Sequence, residues 1–62
     1  MHTDYWREYA FTAAASIAVG AIDGAKWQRA MLRKAAPAER AAMRAYCADV
    51  RRMAADYRAA RA

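Results

Sequence analysis

A chain of 62 residues carrying a net charge of +5 has room for one domain, and a domain of this size buries only about 60% of the surface its unfolded form exposes, so self-association is the natural reinforcement. The single cysteine, Cys47, excludes an internal disulfide, and Cys47 with His2 falls short of the four ligands a structural zinc site needs. The longest stretch without a charge, residues 9–22, is well short of the roughly 20 residues a membrane-spanning helix requires.

Alanine contributes 20 residues, while Leu, Ile, Val and Phe together contribute six. Such poverty in large aliphatics, combined with positive charge, normally points to disorder. Here it does not, because Ala, Arg, Met, Glu and Lys are the strongest helix formers, and two Trp, four Tyr and four Met supply the missing bulk. The expectation is an all-α protein. No charged segment followed by an apolar core and a cleavage site opens the chain, which points to a cytoplasmic location.

A first helix is predicted over about residues 4–34, with Thr3 or Asp4 available to cap its opening turn. Trp6, Ala10, Ala13, Ile17, Ala21, Gly24 and Met31 fall within roughly 80° of one another at 100° per residue, forming one face. Phe11, Val19 and Ile22 project from the other side. A helix apolar on both faces needs burial on both, and a second copy of the chain provides it, giving a homodimeric four-helix bundle.

Within this helix the run SIAVGAIDGA contains a ridge of small residues, Thr12, Ser16, Gly20 and Gly24, spaced four apart. Asp23 and Lys26 spoil a membrane-type Gly-xxx-Gly contact. A helix-turn-helix would place Gly20 in the turn and Asp23 at the start of the second helix, but Lys26 and Arg29 stand where that motif needs apolar residues, about six and nine positions on. Close helix packing at the glycines is the favoured reading. A break between Gly20 and Asp23 is the alternative, with Gly20 as a helix end and Asp23 as a new cap.

Ala35-Ala36-Pro37 interrupts the pattern, since proline disfavours helix before it and fits a first helical position. A second helix is predicted over about 37–60, closing a helical hairpin. Met43, Tyr46, Val50, Met53, Tyr57 and Ala60 recur three and four apart, the spacing of a packed seam. With Ile17, Val19, Gly20, Ile22 and Gly24 they form the expected helix-packing and dimer set. In size and layout such a hairpin resembles the short helical-hairpin dimers of plasmid- and phage-encoded regulators, including the RNA-binding repressor of primer, although it shares no motif with them and fold alone carries no function.

Of the acids Asp4, Glu8, Asp23, Glu39, Asp49 and Asp56, only Asp4 and Glu8 stand at a close helical spacing, four apart, none pairs with His2, and no phosphate loop or metal spacing occurs. No catalytic residue, metal or cofactor is therefore predicted. Binding is the remaining class. Arg40, Arg44, Arg51 and Arg58 lie within about 40° on the second helix, a stripe suited to an acidic protein surface or to phosphates. Lys26, Arg29, Arg33 and Lys34 form a second basic group. Trp6 and Trp27 read as core, whereas Tyr5 and Phe11, off the main face, are the candidate partner contacts. The expected function is a small interaction module, of the kind a phage or mobile element uses as an accessory factor, that binds and modulates or inhibits a larger protein. The alternative is a helical dimer that binds nucleic acid through the Arg stripe.

Overall fold

The computed structural model describes residues 3–61. They form α1 (Thr3–Ala18), α2 (Gly24–Lys34) and α3 (Arg40–Arg61), with a 3-10 turn, Pro37–Glu39, leading into α3. The protein is all-α. Among the described residues no helix is long and apolar enough to cross a membrane. Thr3 and Asp4 already lie inside α1, so the position that would cap it, like His2, falls outside the described residues.

The long first helix expected over 4–34 is in fact two helices, and the break falls between Gly20 and Asp23. Gly20 adopts φ 82°, a left-handed conformation open to glycine and strained for other residues. Its N–H donates to the Ile17 carbonyl at 3.1 Å and the Ala21 N–H to the Ser16 carbonyl at 2.9 Å, the paired bonds of a Schellman end. The chain then restarts at Asp23, whose backbone is extended and whose carboxylate accepts the Lys26 N–H at 3.1 Å. This bond, opposed by a little desolvation, holds the Asp23 carboxyl below its usual range. The ridge of small residues is consequently divided: a Cβ on Gly20 would meet nothing within 4 Å, whereas one on Gly24 would sit 3.2 Å from Ile17 Cγ2. Gly20 serves the turn, and Gly24 serves close packing.

The turn does not make α2 a second helix of a helix-turn-helix, because Lys26 and Arg29 are exposed. Trp27 and Met31 are the buried residues of α2, and through them it packs against α3. Ala36, before the proline, is extended at ψ 150°, as the proline ring requires of its neighbour. The hairpin is therefore a three-helix arrangement in which α1 and α2 both lie on α3.

Small side chains dominate the core. Ala13, Ala14 and Ile17 of α1 meet Trp27 and Met31 of α2 and Cys47, Val50 and Ala54 of α3. Trp6, Tyr9, Met43, Tyr46 and Met53 pack around this centre. Burial pushes the Cys47 thiol up, slightly offset by Arg51. The predicted seam of α3 stops one repeat early: Tyr57 is 40% exposed and Ala60 is exposed. The reason is length. α1 ends at Ala18, where Arg58 reaches its last carbonyls, so the final turn of α3 runs past the end of its neighbour.

Candidate functional site: an aromatic groove

At the end of the bundle formed by the start of α1, the end of α2 and the start of α3 lies an open groove of about 530 Å³. Tyr5 and Trp6 are neighbours on α1 and Tyr9 follows one turn later, and all three line the groove. Trp6 meets Tyr46 edge to face, with centroids 5.4 Å apart and planes at 89°, an arrangement worth about 0.5–1.5 kcal/mol beyond area burial. Tyr5 and Tyr9 lie nearly parallel, 9° apart at 6.4 Å.

Two hydrogen bonds fix the cluster. The Tyr46 hydroxyl donates to the Trp6 carbonyl at 2.9 Å, and Trp27 Nε1–H donates to the Tyr9 hydroxyl at 3.1 Å. Burial, aided by the nearby Tyr9, Cys47 and Tyr5, pushes the Tyr46 phenol up to about 12, so it stays a neutral donor across the physiological range. Met31 and Met43 add deformable apolar surface, and Lys34 and Glu39 bring one charge of each sign to the lining. Such a groove accepts apolar groups and orients them with a few polar contacts. Tyr5, 59% exposed, is the ring most available to an incoming group.

The predicted site residues are dispersed. Tyr5 joins Met43 and Tyr46 at the groove. Phe11 is 51% exposed and Val19 58% exposed; Phe11 lies on the outer face of α1, while Val19 and Ile22 lie in the turn after it. Ile17 and Val50 belong to the core and Met53 packs against it. The Arg stripe is split in two. Arg58 donates from Nη2 to the Ile17 carbonyl at 3.0 Å and from Nε to the Ala18 carbonyl at 3.2 Å, and Arg51 donates from Nη1 to Gln28 Oε1 at 2.8 Å. Both tie α3 to its neighbours. Arg40 and Arg44 are exposed.

A second hollow, beside the 19–23 turn, is lined by Ile22, Asp23, Arg51, Arg52 and Arg58. Asp23 already occupies the start of α2 there, and its negative charge opposes an anion. The groove went unread in the sequence because Trp6 and Tyr46 are far apart in the chain, and nothing in local spacing pairs them. Among the described residues no group of three or more His, Cys, Asp or Glu side chains could hold a metal ion. No protein family, curated protein or solved structure matches this chain.

Proposed function

We propose that this protein is a small non-enzymatic interaction module that binds and modulates a larger protein, inserting an apolar segment of that partner into the groove beside Tyr5. The observation that carries the reading is the groove itself: four aromatic rings and two methionines around an open volume, with Tyr5 left exposed. Large aromatics at the rim of a pocket are where binding energy concentrates. Lys34 and Glu39 line the same groove with one charge of each sign, which suits a partner segment that is mainly apolar.

The module acts as a homodimer in this reading. Phe11 of α1 and Val19 and Ile22 of the turn after it are exposed apolar residues, and their cover is a second copy. Dimerisation is tested by light scattering at micromolar concentration: a mass twice the 6.9 kDa of one chain is expected, falling to one chain in Phe11→Ser/Val19→Ser. A folded monomer at every concentration would remove the dimer.

The groove is tested by substituting Ala42, an exposed residue of its lining. Affinity capture from the source organism with wild type and with Ala48→Arg, an exposed position on α3 outside the groove, is expected to enrich the same partner. Ala42→Arg, which fills the groove, is expected to lose it, as is Tyr5→Ala. Equal enrichment by all four proteins would place the contact elsewhere.

A further inference from the structure

The positive charge is concentrated in one stretch of the sequence. Residues 24–44 hold six cations against the single acid Glu39, a net +5 equal to that of the whole chain, while residues 1–23 carry −2 and residues 45–62 carry +2. In the last of these segments several cations are engaged: Arg52 pairs with Asp49 at 2.9 Å, and Arg51 and Arg58 hold the other helices. Among the described residues, no side chain of Lys26, Arg29, Arg33, Lys34, Arg40 or Arg44 makes a hydrogen bond or ion pair.

The break at Gly20 turns this segment into a helix with two distinct sides. Trp27 and Met31 face the core, and at 100° per residue the centre of Lys26, Arg29 and Arg33 lies about 150° from them. All three are exposed. From Lys26 to Arg33 the helix rises about 10 Å, close to the rise of three phosphates on one strand of a duplex at about 3.4 Å each.

We infer that the outward face of α2, through Lys26, Arg29 and Arg33, binds the phosphate backbone of a nucleic acid. The chemistry of the face selects that class over an acidic protein. It offers three cationic hydrogen-bond donors with Ala30 between them, and the acid at its edge, Asp23, is already engaged by the Lys26 N–H at 3.1 Å. A protein surface, even an acidic one, mixes donors among its carboxylates, whereas a phosphate backbone presents acceptors alone at a regular rise. This site lies on α2's outer side, separate from the aromatic groove, and differs from the α3 Arg stripe that the sequence suggested.

Fluorescence anisotropy with labelled random-sequence duplex DNA and single-stranded RNA, across a salt series, tests it. Binding is expected to weaken with salt, with a log–log slope of about −0.9 per phosphate neutralised on the duplex or about −0.7 on the single strand. Arg29→Glu/Arg33→Glu should weaken binding at least about tenfold and reduce the magnitude of the slope by about two contacts' worth. Arg29→Gln/Arg33→Gln, which retains helix-forming residues, should show the same direction with less repulsion. Arg7→Glu/Arg52→Glu makes the same change in net charge elsewhere and should retain most of the affinity, as should Ala42→Arg. Absence of salt-sensitive binding to both probes would overturn the inference. Equal loss in the Arg7/Arg52 variant would reduce it to a net-charge effect and overturn it as well. Displacement by poly-glutamate as effectively as by unlabelled DNA would assign the face to an acidic protein instead.

Discussion

Replacing Arg58 by methionine separates a structural role from a binding role. In the fold its guanidinium donates to the carbonyls of Ile17, which also accepts the Gly20 N–H, and of Ala18 at the end of α1, and places a positive charge at the negative end of that helix. Hydrogen bonds to a charged group contribute about 1.5–3 kcal/mol when removed from water. Arg58 is exposed and only one of its contacts is part-buried, so the two together are worth about 1–2 kcal/mol after discounting for solvent. Methionine keeps the stem and removes the donors. For a domain of this size that loss lowers the unfolding midpoint by about 5–15 °C, at roughly 4–8 °C per kcal/mol. Thermal unfolding followed by far-ultraviolet circular dichroism, at one protein concentration because self-association shifts the midpoint, reads it directly. Arg58→Lys should fall between the two, restoring charge without the fork. Arg44→Met, an exposed residue of the same stripe, should stay within about 0.5 kcal/mol. If Arg58→Met behaved like Arg44→Met, the capping role would be refuted and the residue returned to the binding surface.

The turn gives a second test: Gly20→Ala should cost about 1–2 kcal/mol from the left-handed backbone alone, with Gly20→Asn recovering part of it in urea unfolding. Gly24→Ala should cost less, because a helical alanine gains about 1 kcal/mol over glycine and only Ile17 Cγ2, at 3.2 Å, must shift. Asp23 contributes an acid-sensitive term. Its carboxyl is held below 3.8 chiefly by the Lys26 N–H, so the stabilisation is present above that value and fades as pH falls through the lower folded one. Titrating helicity downward from neutral pH should show this loss in wild type and lack it in Asp23→Asn, which keeps the acceptor. Tyr46 works at the other end of the scale. Its phenol, raised by burial from 10.0 to about 12, contributes stability that is complete below 10.0 and lost as pH rises toward 12. Tyrosinate absorbance should show a last-ionising phenol that disappears in Tyr46→Phe.

Much of the fold was legible because local chemistry and tertiary contact agreed. Pro37 marked the start of the last helical segment, and Val50 with Met43, Tyr46 and Met53 marked the inward side of α3. The break at Gly20 was visible as an alternative, yet periodicity favoured continuity. Trp6, Ala13, Ile17, Gly24 and Met31 stay in phase across the five residues of the turn, so a helical count cannot see the interruption. Tyr57 was misplaced because spacing shows where a seam would continue and cannot show where the opposing helix ends. The division of the Arg stripe has a related cause. Arg51 and Arg58 share an angle with Arg40 and Arg44, but only the three-dimensional arrangement brings Gln28 and the end of α1 within their reach. The groove required long-range pairing of Trp6 with Tyr46, and no local rule carries that.

Cys47 has no exposed surface and sits in a core to which all three helices contribute. A disulfide reagent reaches its sulfur only when those helices part, and burial further suppresses the reactive thiolate. The rate at which this single thiol is labelled under native conditions therefore counts opening events of the bundle. The molecule carries its own clock for breathing, readable without a dye or an engineered tag, and any ligand that clamps the helices together should slow it.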